Sequence, residues 1–383
     1  MILVKEGLKM LSHKSPAKQQ LVSVIVVNHN RAELLRECLA SLLRQSYRPL
    51  EIFVVDNGSK DHTDAVVASF PEGRVRLRSL GRNLGFAAGS NIGIRESKGE
   101  MVALLNNDAV AGAGWIEELV EAMQSSPQVG MCASKVLFFR TNVIDKVGHL
   151  LYPDGQNRGR GTGEEDRGQY DRQEEVFFPD GCAALYRRQL LNDVGGFDDS
   201  FFAYGDDADL GIRARWLGWK CLYVPAAVVH HHHSATSGPY SRQKIYWVER
   251  NRFWLAVKNF PLPLLLLSPI LTVNRWAWNL LAAAVGRGSA GNFRRETSLV
   301  ALLTEVVRSQ RDGFRSLGKM LEKRRHVMAH RRIGNLEFYR LLRRFRISAL
   351  KLSFEDRDYS FRTRHDSADK EASLENIGRA SCS

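Results

Sequence analysis

Apolar residues in this chain come in short unbroken runs that stop abruptly at polar ones. "LVSVIVVNHN" (21–30) ends in asparagine and histidine, "LEIFVVDNGSKD" (50–61) in aspartate and glycine, and "EMVALLNND" (100–108) in two asparagines and an aspartate. Continuous runs of this kind predict strands buried on both faces, as in parallel sheets. Between them the period changes. Leu34, Leu35, Cys38, Leu39, Leu42 and Leu43 recur at helical spacing within 31–46. "DHTDAVVASF" (61–70) predicts a helix capped by Asp61 or Thr63, and "GWIEELVEAMQSS" (114–126) predicts another. Strand–helix alternation is the pattern of a doubly wound α/β domain. Ligands of such sheets bind beyond the carboxyl ends of the strands, where this chain carries "NHNR", "DNGSKD" and "NND".

The pattern then loosens. Residues 141–176 are polar and Gly-rich and predict a mobile long loop or short hairpins. Order returns over 176–225, with a helix carrying Asp209, Leu210, Ile212, Arg213 and Trp216, followed by short strands in "WKCLYVPAAVVHHHH". Trp216 and Trp219 read as core. From 251 to 288 the chain is strongly apolar but interrupted by Pro261, Pro263, Pro269 and Arg275. Such a segment predicts a bilayer-interface element rather than a span, with Trp254, Trp276 and Trp278 at the boundary. The competing reading is a helical subdomain packed on the α/β domain. The expected division is a tail at 1–20, an α/β domain at 21–250, a helical membrane-proximal extension at 251–350 and a disordered tail at 351–383.

Composition sharpens this. A chain of 383 residues holds one large α/β domain plus an appendage, or two domains. No stretch of ~20 residues is free of both charge and proline, which argues against a transmembrane helix. No secretory signal is read at the N-terminus. The cysteines, Cys38, Cys132, Cys182, Cys221 and Cys382, form no C-x-x-C, so reduced thiols in a cytoplasmic setting are expected, without zinc. The net charge is +13, yet residues 240–350 alone hold 22 Lys and Arg against 6 Asp and Glu. The positive charge therefore belongs to the last third. There it accompanies tryptophan and leucine rather than a recognisable nucleic-acid module, which favours an anionic membrane surface over nucleic acid.

The strand ends suggest chemistry. Asp108 closes one strand, Asp56 another, and Asp206, Asp207 and Asp209 follow in "GDDADLGIR". Carboxylates that converge on one sheet edge repel unless something neutralises them, and a hard divalent cation carried by a diphosphate does so. The blander readings are helix capping for Asp108, Asp206 and Asp207, and an Asx-turn for "DNGS". Asp209 fits capping best and takes a mixed role. "GRNLGFAAGSNIGIRESKG" (81–99) is neither a Walker loop nor a well-placed G-x-G-x-x-G, but it allows close backbone approach to a ligand at a helix start.

Taken in order, "VSVIVVNHNR", "VVDNGSKDHT", "NLGFAAGSNIGI", "LLNNDAV", "GCAALYRR", "GGFDDSFFAYGDDADLGIRARWLGW" and "VVHHHHSATSG" resemble glycosyltransferase family 2 over about residues 21–260. The nearest branch is the bacterial rhamnosyltransferase-like members that build cell-surface polysaccharide. The resemblance implies an α/β fold of GT-A type: a Rossmann-like nucleotide-binding domain, here with a mainly helical, basic, apolar C-terminal extension. It implies inverting transfer from a dTDP- or UDP-sugar with Mg²⁺ or Mn²⁺, to a saccharide or polyprenyl-linked acceptor. It places the protein on the inner face of the cell membrane. By resemblance, Asp56 holds the nucleoside with Asn57, Asn28 and Asn30 nearby, and Asn83, Gly85, Asn91 and Asn107 pack by the nucleotide-sugar. Asp108 stands where the family has the last residue of D-x-D and would bind metal, while Asn106 departs from the acidic first position. Asp207 aligns with the general base and Asp206 replaces the preceding glutamate. A histidine completing the metal site is His231, with Ser234 and Thr236 following and His230 as runner-up. Asp180 and Gly181 would border the acceptor. A nucleotidyltransferase would want a basic Gly-rich loop near the first strand, which "VVNHNRAE" lacks. A noncatalytic membrane-associated sugar-nucleotide-binding protein is the remaining alternative.

Overall fold

The structure, a computed structural model, describes residues 19–232 and 241–355. The expected N-terminal tail up to residue 18, the tail beyond 355, and His233, Ser234 and Thr236 lie outside the described residues. Twelve strands are seen among them: β1 (Val22–Asn28), β2 (Leu50–Asp56), β3 (Val75–Ser79), β4 (Met101–Leu105), β5 (Ala109–Ala111), β6 (Val129–Phe138), β7 (Ile144–Lys146), β8 (His149–Leu151), β9 (Asn157–Gly159), β10 (Glu174–Val176), β11 (Ala183–Arg187) and β12 (Lys220–His231). Ten form one sheet, with the order β10-β12-β6-β11-β4-β1-β2-β3 and with β5 and β7 attached to β12 and β6. β8 and β9 pair separately.

Both faces of this sheet are covered, which is why its central strands read as apolar runs. Val22, Val24, Val26, Ile52, Val54, Met101 and Ala103 enter one core cluster, and Ile25, Phe53, Val55, Val102 and Leu104 enter the other. That alternation follows the period of two along a strand. Helices α1 (Ala32–Leu43) and α4 (Trp115–Gln124) close the first face through Leu35, Leu39, Ile116 and Leu119. Short α2 (Thr63–Ala68) follows β2 and adds Val66 and Val67 to that face. Helices α3 (Phe86–Glu96), α5 (Arg188–Val194) and α6 (Asp206–Trp216) close the other face. β1, β2, β3 and β4 run parallel, whereas β11 is antiparallel to both β4 and β6, so the sheet is mixed. The register sets Asn28 opposite Asp56, so the polar strand ends share one edge.

One reading of the sequence changes. Residues 220–231 make one twelve-residue strand rather than several short ones, with a register break between Val224 and Val228 at Pro225. Proline lacks the N–H that a ladder needs, so a bulge there keeps the strand continuous. Of the two forms expected for 141–176, the short hairpins are the one seen: β7 pairs β6, β8 pairs β9, and β10 joins the sheet edge at β12.

The C-terminal helices are α7 (Arg242–Asn259), α8 (Leu262–Ala284), α9 (Gly288–Glu296), α10 (Leu299–Arg315), α11 (Leu317–His330), α12 (Asn335–Arg344) and α13 (Ala349–Phe354). α7 runs straight across residue 250. Part of this layer packs on the α/β domain in a third core, in which Trp216 stacks on Phe338 with centroids 4.2 Å apart. Trp216 Nε1 also donates to the carbonyl of Asn259 at 2.8 Å.

Two of these helices are turned inside out. α8 buries Ser268, Thr272 and Arg275 yet leaves Leu266 and Ile270 71% and 67% exposed. α10 buries Glu305, Ser309 and Gly313 yet leaves Val300 74% exposed. A helix in water turns its apolar stripe inward. No helix among the described residues is long and apolar enough to cross a membrane.

Ion pairs hold α8 from within. Arg275 bonds Asp154 Oδ2 at 2.8 Å and both oxygens of Glu249 at 2.8 and 3.0 Å, and Arg252 bonds Glu249 at 3.2 Å. Burial pushes the Glu249 carboxyl up, but Arg275 and Arg252 hold it down at about 2. Arg275→Met leaves Glu249 and Asp154 buried without that partner and should cost about 3–5 kcal/mol in urea unfolding. Because the folded pKa of Glu249 lies below its ordinary 4.5, its stabilisation is fully present above about pH 4.5 and is lost as the pH falls toward 2. The variant should show a flatter acid limb than the parent.

Candidate active site

The site begins where β1 and β2 end. Asn28 is fully buried and its amide is spent within the fold. It donates to Thr63 Oγ1 at 2.9 Å and accepts from Asn107 Nδ2 at 2.6 Å, tying the end of β1 to the turn after β4. Asn57 is the next hub. Its Nδ2 donates to Asn83 Oδ1 and to the carbonyl of Gly85, both at 3.0 Å, and its Oδ1 accepts from Leu84 N at 2.8 Å. Gly85 has φ +88, and a Cβ there would lie 2.4 Å from the carbonyl oxygen of Phe202. The start of α3 is therefore pressed against the loop before α6, a contact that only glycine permits.

Asn57, Asn83, Gly85, Asn107 and Asp108 line a single cavity with His29, which the sequence reading did not single out. Asn28, Asn30, Asp56 and Asn91 are not among its lining residues. Asp56 Oδ1 accepts from Ser59 N at 3.1 Å, three residues on rather than the two of an Asx-turn. Asn30 Oδ1 accepts from Lys60 N. Asn91 holds the 197–199 loop, donating to the carbonyl of Phe197 at 2.8 Å and to Asp199 at 2.6 Å.

Beside this wall stands a buried acid–histidine–acid row. β5 pairs with β12, and His232 N donates to the carbonyl of Asp108 at 2.9 Å. That pairing brings His231 Nε2 to 3.1 Å from Asp108 Oδ1, while His231 Nδ1 lies 2.7 Å from Asp145 Oδ2. All three residues line the cavity. His230 does not, because alternation along β12 turns it to the other side of the sheet. His232 stacks on Phe139. Burial opposes a charge on the His231 ring, but Cys182 and the Asp108 and Asp145 carboxylates raise its pKa well above the ordinary value.

These residues fit a hard divalent cation. Two ligand atoms at about 2.1 Å from one ion, at a right angle, sit about 3 Å apart, close to the separation of Asp108 Oδ1 from His231 Nε2. Asp145 on the far nitrogen of His231 is the outer carboxylate that orients a ligating imidazole.

A second cluster faces it. Asp180 Oδ2 lies 3.0 Å from both Lys146 Nζ and His149 Nε2, and His149 Nε2 lies 3.9 Å from Asp207 Oδ2. Burial works against the Asp180 carboxylate, yet Lys146 and His149 hold its pKa far below the usual range. Ligand atoms of His149, Asp180 and Asp207 all lie within 4.8 Å of one another. In that group the Lys146 ammonium offsets Asp180, as the His231 ring offsets Asp108 and Asp145 in the first.

At the start of α6, burial and then Asp207 raise Asp206 well above its ordinary pKa, and its Oδ2 has no hydrogen-bond partner among the described residues. Asp207 is also raised, by burial first and in part by Asp180. Gly181 N donates to Asp207 Oδ2 at 3.4 Å. Asp209 stands apart, buried with Arg213 at 2.8 Å and Lys258 at 2.9 Å. Neither it nor Asp206 or Asp207 caps α6, because Gly205 takes the cap position without a side-chain bond. On α7, Asn251 Nδ2 donates to the carbonyls of Phe201, Ala203 and Tyr204, holding the loop that leads into Asp206.

Asp145, Lys146 and His149 were missed from sequence. They lie in the Gly-rich segment, and their only signal is "IDKVGH", a cluster of ionisable residues between isolated apolar ones. The cavity measures about 1410 Å³, above the ~300–1,000 Å³ of a typical small-molecule site. It has room for two substrates.

Comparisons with known proteins bear on family and fold. Residues 23–195 match the profile described as Glycosyl transferase family 2. An N-acetylglucosaminyl-diphospho-decaprenol L-rhamnosyltransferase of Mycobacterium tuberculosis is 30% identical over 242 residues, covering 57% of this chain and 78% of that protein. A glucosyl-dolichyl phosphate glucuronosyltransferase of Haloferax volcanii is 29% identical over 220 residues, covering 55% and 68%. Among solved structures, GalNAc-T7 with UDP, GalNAc and Mn²⁺ superposes with a TM-score of 0.50 at 16% identity, over 61% of this chain and 48% of that one, a likeness of fold.

The acid–histidine–acid row generates a direct test. Asp145→Asn should weaken Mn²⁺ binding by about 10–100-fold in the presence of a nucleoside diphosphate. Free Mn²⁺ followed by electron paramagnetic resonance reads this without any turnover. An unchanged affinity would mean that Asp145 does not orient a ligand.

Proposed function

The chain belongs to glycosyl transferase family 2, a glycosyltransferase using a nucleotide-sugar donor, and from that premise we propose that it passes a sugar, rhamnose from dTDP-rhamnose or a sugar from a UDP-sugar, to a polyprenyl-linked saccharide at a membrane surface. The observation that carries this reading is one cavity whose wall includes Asp108 and His231 at one station, Asp207 at another, and apolar residues of α8 and α10 beyond. The names of the two relatives, one acting on a decaprenol-linked and one on a dolichyl-linked substrate, support the lipid-linked acceptor.

The donor's nucleotide belongs against Asn57, Asn83 and Gly85, with its diphosphate toward Asp108. Asp108 and His231 would hold Mg²⁺ or Mn²⁺, which supplies charge stabilisation to the departing diphosphate. The acceptor hydroxyl belongs by Asp207 and Gly181. Its oxygen bonds to the anomeric carbon from the face opposite the diphosphate, the carbon–oxygen bond to phosphate breaks, and Asp207 takes the hydroxyl proton. The anomeric centre inverts in one displacement, and the nucleoside diphosphate leaves. Asp180, held between Lys146 and His149, fixes the polar wall beside the base.

The inverted faces of α8 and α10 support a membrane-bound location, because exposed leucine, isoleucine and valine on both helices suit an apolar surrounding. The excess of lysine and arginine in the same region suits anionic head groups.

Asp207→Asn should lower transfer by about 10²–10⁴-fold while leaving the nucleoside-diphosphate thermal shift intact. Loss of that shift in a folded variant would assign Asp207 to donor binding instead. A base works deprotonated, and burial raises the pKa of Asp207. Transfer by the parent should therefore fall on the acid side at a pH above the ordinary 3.8 of aspartate.

A further inference from the structure

The cavity does not stop at the base. Its lining continues onto Leu280 and Ala283 of α8, Phe293 of α9, and Leu302, Leu303 and Val306 of α10. Leu280 and Leu303 are 53% and 50% exposed, so this part is an open groove with apolar walls rather than a closed core. Lys244 and Arg311 line the same cavity. Lys244 Nζ sits 5.5 Å from the ring of Tyr204, two residues before Asp206, which places a cation beside the loop that leads into the base.

We propose that this groove receives the first isoprene units of the acceptor's polyprenyl chain, with the lipid's diphosphate against Lys244 and Arg311 and the saccharide reaching Asp207. The proposal rests on the lipid-linked acceptor reading above and names where that lipid sits. An amphiphile is the ligand whose chemistry changes in the order the wall changes: hydroxyl-bearing head at the carboxylates, anionic link at the cations, apolar chain at the leucines.

Two features select a chain within the groove over simple contact with a bilayer. The groove is continuous with the catalytic cavity, whereas the outward faces at Leu266, Ile270 and Val300 are not among its lining residues. Its walls come from three helices, and polar groups fasten two of them underneath. Arg275 holds α8 through Glu249 and Asp154, and Glu305 holds α10 through Arg242 at 2.9 Å. Arg275 and Glu249 are paired with each other where they line the cavity, and the apolar wall runs beyond them through Leu280, Leu302, Leu303 and Val306.

The test uses the full chain and farnesyl diphosphate, followed by calorimetry at concentrations where the probe is monomeric. Leu303→Glu should weaken its binding by at least about tenfold, because a carboxylate replaces an apolar contact. Ile270→Glu, on the outward face of α8, should bind farnesyl diphosphate as the parent does but lose sedimentation with phosphatidylglycerol vesicles. Nucleoside-diphosphate thermal shifts are recorded on the same samples to show that each variant is folded. A parent chain that binds nucleoside diphosphate but not farnesyl diphosphate overturns the groove and leaves the transferase reading standing. A chain that binds neither overturns both. If Leu303→Glu abolishes vesicle binding and leaves farnesyl diphosphate binding unchanged, the groove faces bulk lipid, and the proposal is wrong.

Discussion

Six carboxylates line one cavity; Glu249 is answered by Arg275 and Arg252, and the rest of the structure answers the mutual repulsion of Asp108, Asp145, Asp180, Asp206 and Asp207. Two like charges 4 Å apart repel by about 4 kcal/mol at an effective dielectric of 20. A domain stable by about 5–15 kcal/mol cannot carry several such pairs uncompensated. The fold divides the problem. His231 stands between Asp108 and Asp145, Lys146 and His149 share Asp180, and burial favours the neutral form of Asp206 and Asp207. Each compensating group comes from a different strand, so the sheet must close before the site is tolerable.

This arrangement also explains why the hairpins between β6 and β10 fold back over the site. That segment adds Ile144, Val147, Leu151 and Tyr152 to the buried cores. It brings Asp145, Lys146 and His149, a cation and an imidazole among them, into a cavity that needs positive charge. Its Gly-rich composition supplies the turns, and its ion pairs supply much of the order.

How much of this was legible beforehand depends on which residues carry a period. β1, β2 and β4 were plain, because strands covered on both faces need apolar residues at every position. Asp108 was also readable, since it follows such a strand, whereas His231 was picked from four successive histidines only by resemblance to a family motif. Asp145, Lys146 and His149 were not, because strands of three residues expose no alternation to read. The twelve-residue β12 looked like several strands because Pro225 interrupts its ladder. The sense of α8 and α10 was hidden for another reason. Periodicity reveals that a helix has an apolar stripe, but the partner decides which way the stripe turns. Only the ion pairs of Arg275 and Glu305 show that the polar side faces the protein.

The Asn251 amide joins α7 to three carbonyls of the loop that delivers Asp207. α7 is in turn bound through Glu249 to Arg275 on α8, whose outer face is apolar. Asp207 and the outward leucines therefore belong to one linked set of contacts. With that face on a bilayer, as proposed, the carboxylate would stand at a set height above the lipid. The acceptor would then be measured as by a ruler: a glycan one sugar too long or too short would present no hydroxyl at that height. Selectivity for chain length would then need no dedicated sugar pocket at all.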